Sequence, residues 1–298
     1  MVRLLLELGP CLLAGFWLGQ RFPALPGQLA PALLRWGMPL SLTGLLLKSG
    51  LPPSSIPMAG LIAAITSGGL LLCRQLPSVL PSRSLQLGAM VGNTGYFGLP
   101  VAIALLPSEA LGFSVIYDLI GTLITWSAGP LLLSPGQSRP SALSLVRTPV
   151  VQALLVALPI GLTPWGSLLG QWLWLPARLV LWLLLLLVGM RLGLVLRRIH
   201  PDNSPRPSLH AALAIKLLAL PAVMALVTSL LQLPELMREA LVLQAAAPTA
   251  MSVLLLAEAT DVQNGSDQET LPAARLVFWS SGLALISLPL WFQLTADM

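Results

Sequence analysis

The sequence is a succession of apolar stretches, each about long enough to cross a lipid bilayer as a helix. A transmembrane helix needs about 20 mostly apolar residues, and ten stretches meet that requirement. They cover approximately residues 4–20, 29–47, 57–73, 85–106, 110–133, 147–163, 172–195, 208–231, 237–258 and 272–294. Only 9% of the 298 residues are charged, whereas about 25% is usual for a soluble domain. The sequence therefore predicts an all-α integral membrane protein.

The connections between the apolar stretches are short. The longest polar pieces cover residues 134–147, 197–208 and 260–270, and none could hold a soluble domain. The first stretch contains Glu7 and lacks a clear cleavage site, so we expect a retained helix and not a signal peptide. The sequence predicts a single membrane transporter domain over residues 1–298.

Ten helices divide into two halves of five, approximately residues 1–135 and 145–298. An odd number of helices per half places the halves in opposite membrane orientations, which is the inverted repeat of many secondary transporters. Pro100 and Pro248 lie about half the chain apart. Proline is frequent in membrane helices, so this spacing alone leaves the repeat open.

The distribution of Lys and Arg predicts the orientation of the chain. Eight arginines fall near the exits of odd-numbered helices, and three basic residues lie on the opposite side. The eight are Arg21, Arg74, Arg83, Arg139, Arg147, Arg197, Arg198 and Arg206, and the three are Arg3, Lys48 and Arg238. Since basic residues concentrate in cytoplasmic loops, we expect both termini to lie outside.

The segment around Asn93 is the strongest candidate for a ligand site. Three glycines occur within residues 92–98, and Pro100 follows. Glycine costs a helix about 1 kcal/mol relative to alanine, and proline costs about 3 kcal/mol. A break here would expose a helix N-terminus suited to an anionic group, while freed carbonyls and the Asn93 amide could bind the rest of a ligand or a cation.

A structural role is the alternative for this segment. Asn93 and Thr94 could satisfy backbone groups at a kink, and Gly88 with Gly92 has the spacing of a helix-packing motif. Pro248 with Thr249 is the weaker partner signal in the second half, because a lone proline is more often a kink.

Ionisable side chains inside the apolar stretches are a second signal, because each is expensive in lipid. Asp118 and Lys216 are candidates for charge compensation of a substrate, for cation coordination or for a mutual ion pair. Four other charged residues are expected at the membrane interface, namely Arg178, Arg191, Glu258 and Arg275.

Other function classes find little support. The two histidines, His200 and His210, flank a polar connection, and no hydrolase, zinc-protease or P-loop motif is present. We therefore expect no enzyme activity, no bound metal and no cofactor. The basic residues are scattered singly, which argues against a nucleic-acid partner.

Several segments resemble one transporter family. Residues 92–100, Gly-Asn-Thr-Gly-Tyr-Phe-Gly-Leu-Pro, resemble the helix-four signature of the auxin efflux carrier family. In the second half, three further segments resemble that family in the same order. They are Lys216-Leu217-Leu218 followed by Pro221, Ala246-Ala247-Pro248-Thr249 leading to Leu256-Ala257-Glu258, and Ser280-Ser281 with Leu288-Pro289-Leu290.

The resemblance implies a ten-helix transporter of two inverted five-helix repeats. Helices four and nine would be broken at prolines and would cross at the substrate site. Carried over to this sequence, the substrate-binding residues at the crossing are Asn93, Thr94, Gly95, Pro100, Pro248 and Thr249. The chain lacks the long insert after helix five of many plant members, so it resembles a compact bacterial type.

The expected function is that of a secondary permease in the plasma membrane, which exports or exchanges small organic anions by alternating access. The resemblance implies substrates such as indole-acetate or dicarboxylates. The expected partners are the anion and the lipid bilayer, and both a homodimer and a coupling ion, sodium or proton, stay open. Two alternatives are a sodium-coupled symporter of the bile-acid type and a non-transporting membrane sensor or scaffold.

Overall fold

The computed structural model describes residues 2–50, 54–133, 142–199, 207–266 and 268–296. These residues form helices and connections without a strand, so the all-α prediction is confirmed for this part of the chain. The α-helices are α1 (Val2–Arg21), α2 (Leu25–Ala32), α3 (Met38–Ser49), α4 (Ser55–Arg74), α5 (Arg83–Gly88), α6 (Leu99–Leu105), α7 (Leu111–Leu133), α8 (Ala142–Val146), α9 (Pro149–Gly161), α10 (Gly166–Arg198), α11 (Pro207–Ala214), α12 (Leu220–Leu230), α13 (Glu235–Ala245), α14 (Met251–Asn264) and α15 (Thr270–Ala296).

Each predicted apolar stretch falls on helical residues, but the helices differ in continuity. Among the described residues, five helical runs are long and apolar enough to cross a membrane. They are Ser55–Arg74, Ser108–Leu133, Gly166–Arg197, Pro207–Leu230 and Thr270–Ala296. Two further apolar helices, Thr94–Leu105 and Pro149–Gly161, are shorter. The chain is thus built to pass the membrane several times, and the number of ten crossings stays a prediction.

Three π-turns each directly precede an α-helix that has proline as its second residue, and the first and third of them join two α-helices. The π-turns are Leu33–Gly37, Thr94–Gly98 and Ile215–Ala219, and the prolines are Pro39, Pro100 and Pro221. Proline cannot donate the helical hydrogen bond and clashes with the preceding turn. A wider turn accommodates both effects, so the helical run continues through the proline.

The helices pack as two groups. In the first group, α1 packs along α10, α10 along α3, and α3 along α9. In the second group, α13 packs against α7, α12 and α15, while α4 packs against α7 and α14 against α15. We call these the α1/α10 group and the α13 group. The break-containing segments belong to the α13 group.

Glycines bring α1 and α10 into backbone contact. Gly15 and Gly19 on α1 face Gly189 and Gly193 on α10, so each helix carries a Gly-x-x-x-Gly pair. A Cβ added at Gly19 would collide with the backbone of Met190. In lipid, where apolar burial does not drive helix association, such close approach supplies much of the packing energy.

Contacts at one end of the molecule join several connections. The backbone N–H groups of Arg83 and Ser84 donate to the Glu269 carboxylate at 3.1 and 2.7 Å, and the Arg83 guanidinium donates to the Leu132 carbonyl at 3.3 Å. Glu269 thereby caps the N-terminus of α5 from the start of α15, a placement that the helix dipole favours. The ends of α4, α7 and α14 therefore lie on the same side as the start of α5.

The glycine contact between α1 and α10 gives the first testable prediction. Gly19→Ala should lower the free energy of unfolding by about 1–3 kcal/mol, because the added methyl forces the two backbones apart. Gly9→Ala on the same helix is the matched control, since a Cβ there meets nothing within 4 Å, and it should be neutral or slightly stabilising. Thermal unfolding in detergent measures both, and equal melting temperatures would contradict the packing role.

Candidate functional site

Two helices are interrupted at the centre of the α13 group. Helix α5 ends at Gly88 and helical structure resumes with the π-turn at Thr94. Helix α13 ends at Ala245, and α14 begins at Met251. The interruption before Thr94 agrees with the break predicted near Asn93. Pro100 does not break this helix, contrary to what the resemblance implied, because the preceding π-turn accommodates it.

The two interruptions cross and pair as a single antiparallel bridge between Gly92 and Thr249. The Asn93 N–H donates to the Pro248 carbonyl at 2.6 Å, and the Ala250 N–H donates to the Val91 carbonyl at 3.2 Å. Backbone groups freed by a broken helix are costly in lipid unless protein satisfies them. The breaks therefore satisfy each other.

Thr249 fixes the crossing by two further hydrogen bonds. Its hydroxyl donates to the carbonyl of Gly88, the last residue of α5, at 2.9 Å. Its backbone N–H donates to the Ser280 hydroxyl on α15 at 3.0 Å. Thr249 is fully buried, and its contacts are those of a structural residue.

Asp118 and Lys216 lie at two different ends of the broken helices. The Thr94 hydroxyl, at the start of the π-turn, donates to Asp118 Oδ1 at 2.6 Å. Lys216 Nζ donates to the carbonyl of Ala245, the last residue of α13, at 2.9 Å. Each side chain thus has its own hydrogen-bond partner, and a mutual ion pair is not seen among the described residues. The negative group lies at a helix N-terminus and the positive group at a helix C-terminus, as the helix dipole favours.

A cavity of about 530 Å³ lies between the two helix groups, beside the crossing. The α13 group contributes residues in and just before the π-turn Thr94–Gly98, one face of α7 and the start of α14. The α1/α10 group contributes residues near the π-turn Leu33–Gly37, the start of α9 and Arg191 of α10. The lining residues are Leu34, Met38, Gly92, Asn93, Thr94, Gly95, Tyr96, Asp118, Gly121, Thr122, Thr125, Trp126, Pro130, Arg147, Thr148, Pro149, Val150, Arg191, Ala250, Met251, Ser252 and Leu255.

The start of α14 borders this cavity, and its first backbone N–H groups could donate hydrogen bonds to a ligand. Within the described residues, its first turn has neither a side-chain cap nor an acidic residue, and Ala250, Met251 and Ser252 line the cavity. Asn93 is 4% exposed, and its amide nitrogen has no hydrogen-bond partner among the described residues. A helix N-terminus with an unused amide donor is suited to an anion.

Two arginines add positive charge to the same cavity. Arg191 is half-buried on α10, and Arg147 is exposed just before α9. Sequence reasoning assigned Arg191 to the interface and used Arg147 only for orientation, so both were missed as cavity residues. Arg191 could have been found from the sequence as a charge inside an apolar stretch. It lies two turns before the end of α10 at Arg198, and a charge within a membrane helix usually faces a cavity or a partner. Two arginines against Asp118 give the cavity an excess of positive charge.

The other predicted site residues divide into two sets. Asn93, Thr94, Gly95 and Asp118 line the cavity, whereas Pro100, Pro248, Thr249 and Lys216 do not. Gly95 is closely packed, because an added Cβ would lie 2.5 Å from the Met38 Cε and 3.1 Å from Asp118 Oδ1. Arg275 is 8% exposed within the helix packing, and its place at the membrane interface stays a prediction. The binding roles of these residues stay predictions.

Comparison with known proteins identifies the family. The sequence profile of the membrane transport protein family, which represents the auxin efflux carriers, matches residues 137–292, just over half of the chain. The chain belongs to the auxin efflux carrier family. The family assignment, together with the apolar helices, makes it a multi-pass membrane protein of a transport family and not of an enzyme family.

A relative described as a transporter agrees with this family. An uncharacterised transporter of Methanothermobacter thermautotrophicus is 28% identical over 212 residues, covering 70% of this chain and 66% of the relative. The match thus spans just under two thirds of that transporter's length. The predicted auxin efflux carrier family is thus confirmed, through a profile match that lies after residues 92–100.

The arginine lining gives a prediction for this auxin efflux carrier family member. Arg191→Gln should weaken carboxylate binding at least about tenfold, because a charge-assisted hydrogen bond contributes about 1.5–3 kcal/mol. Arg178→Gln is the matched control, since Arg178 lies on the same helix but outside the cavity lining. Calorimetric titration with malate and with indole-3-acetate measures both, and equal losses in the two variants would contradict a role for Arg191.

Proposed function

We propose that this protein is a secondary permease that exports or exchanges small organic anions, carboxylates above all, by alternating access. The observation that carries the proposal is the cavity between the two helix groups. The cavity is bordered by Arg191, by the start of α14 and by the Asn93 amide, and in the described part of the chain that helix start has no side-chain cap and the amide nitrogen has no partner. Family membership supports transport as the activity.

The proposed architecture is a single membrane domain of ten crossings in two inverted repeats, approximately residues 1–135 and 145–298. The interruptions before Thr94 and before Met251 support it, because they occupy corresponding places in the two halves. Each is followed by a helix that leads away from the crossing. Such paired broken helices at mid-membrane are typical of inverted-repeat transporters.

We also propose that both termini lie outside. The bonds from Arg83 and Ser84 to Glu269, and from Arg83 to Leu132, bring together connections that alternating crossings would place on one side. The Arg197 guanidinium donates to the Gln20 carbonyl, so the ends of α10 and α1 lie together, and alternating crossings would place them on the same side as well. These ends carry the excess of arginine that is typical of the cytoplasmic face.

In the proposed mechanism, the carboxylate of the substrate accepts hydrogen bonds from Asn93 and from the first turn of α14. The less polar part of the substrate lies against Met38, Tyr96 and Trp126, which line the cavity. The α13 group then shifts relative to the α1/α10 group and carries the crossing with it. Because the crossing is held by its own hydrogen bonds, it can move as a rigid unit.

Flux through purified protein in proteoliposomes tests the binding role of the crossing. Asn93→Ala and Pro248→Ala should each lower saturable carboxylate flux severalfold, the first by removing an anion donor and the second by altering the crossing. Ser127→Ala is the control, because its hydroxyl donates to the Leu123 carbonyl of its own helix at 2.6 Å and lies outside the cavity lining. Wild-type flux in both Asn93→Ala and Pro248→Ala would contradict the proposed binding site.

Binding of a carboxylate without any flux would favour the sensor or scaffold alternative. Flux with a strict sodium requirement would favour the sodium-coupled symporter.

A membrane potential gives a second test of uncoupled anion movement. An inside-negative potential of about 100 mV disfavours one internal negative charge by about 2.3 kcal/mol, so a transported monoanion should be depleted inside about 50-fold at steady state. Valinomycin with a potassium gradient sets the potential, and isotope-labelled indole-3-acetate reports the ratio. A ratio that does not follow the potential would contradict uncoupled movement and indicate exchange or a coupled ion.

A further inference from the structure

Lys216 is buried at the crossing without taking part in the cavity. Its side chain is 0% exposed, it lies in the π-turn Ile215–Ala219, and it does not line the cavity. Its ammonium donates to the carbonyl of Ala245 at 2.9 Å. A fully buried lysine is rare unless its charge is compensated, so the compensating groups identify what this position is built to hold.

The hydrogen-bond acceptor observed at Nζ is a backbone carbonyl at the broken end of α13. Ala245 is the last residue of that helix, where the helix dipole places partial negative charge. A Cβ placed at Gly92 would lie 3.2 Å from Lys216 Nζ and 3.5 Å from the Ala247 carbonyl oxygen. The ammonium therefore lies beside Gly92, at the broken end of α13.

Freed carbonyls and C-terminal ends of broken transmembrane helices are the groups that coordinate coupling cations in secondary transporters. Here a covalently attached ammonium lies among such groups. We infer that Lys216 is a tethered cation that fills the cation position at the end of α13, so that the crossing assembles without a free sodium ion. This inference deepens the proposed function, because it assigns the coupling behaviour of the same site.

The inference explains two local features. Gly92 has no side chain, which leaves room for the ammonium at the crossing. The π-turn that contains Lys216 shifts the side chains of this helix by one position relative to a regular α-helix.

Removal of the tethered cation should create a vacant cation site. Lys216→Ala should lower the melting temperature in detergent by several degrees, and methylammonium should restore most of the loss, because it replaces the ammonium and its nearest methylene. Tetramethylammonium, which cannot donate a hydrogen bond, should restore nothing. Lys48→Ala is the control, since Lys48 is the other lysine of the chain and is exposed, and its melting temperature should not respond to methylammonium.

Sodium supplies an independent readout that needs no substituted protein. Replacement of sodium by choline at constant ionic strength should leave both the melting temperature and the carboxylate flux of the wild-type protein unchanged. Sodium-dependent stability or flux of the wild type would overturn the inference. A Lys216→Met variant with wild-type stability would also overturn it.

These readouts separate the inference from the proposed function. The melting temperatures need no substrate, so absence of flux with every anion would count against the permease while leaving the rescue by methylammonium to decide the role of Lys216. Conversely, sodium-dependent flux would retain the permease and overturn the tethered cation. If Lys216→Ala does not fold, the sodium response of the wild type decides the inference.

Discussion

The structure depends on one constraint, namely that backbone hydrogen-bonding groups cannot remain unpaired in lipid. Two interrupted helices would each expose such groups, and neither interruption could exist alone. The bridge between Gly92 and Thr249 solves both problems at once, because each break supplies donors and acceptors to the other. Two further hydrogen bonds satisfy groups that the bridge does not pair. The Thr249 hydroxyl donates to the Gly88 carbonyl at the end of α5, and the Thr249 N–H donates to the Ser280 hydroxyl on α15.

The four helix ends at the crossing are treated unequally, and the difference points to function. The carbonyl of the last residue of α5 accepts a hydrogen bond from the Thr249 hydroxyl, and the carbonyl of the last residue of α13 accepts one from Lys216. The π-turn Thr94–Gly98 begins beside Asp118, which accepts a hydrogen bond from the Thr94 hydroxyl. The start of α14 has no side-chain cap within the described residues and borders the cavity at Met251. The C-terminal ends of α5 and α13 thus receive donors from Thr249 and Lys216, whereas the N-terminal ends at Thr94 and Met251 have no side-chain cap within the described residues and border the cavity, where an external anion can bind.

The sequence predicted what local chemistry determines. Glycine content near Asn93 correctly located a break, because helix propensity is a property of a few adjacent residues. Pro100 was misjudged because a π-turn, set by packing, accommodates a proline that would otherwise break the helix. Arg147 and Arg191 were missed because their place at the cavity depends on how two groups of helices pack. The contact between Gly19 and α10 is equally a tertiary property, although its spacing was visible in the sequence.

The positive groups of the cavity belong to both helix groups, which links anion binding to their relative position. Arg191 lies on α10 and Arg147 precedes α9, whereas Asn93 and the start of α14 belong to the α13 group. The Asp118 carboxylate also lies on the α13 group, so across the cavity the two arginines face one negative group and the partial positive charges of Asn93 and the start of α14. In the proposed function, an anion that contacts the arginines and the start of α14 would be held by both helix groups, and most strongly when they approach closely. The proposed recognition and the proposed movement would then share one electrostatic cause.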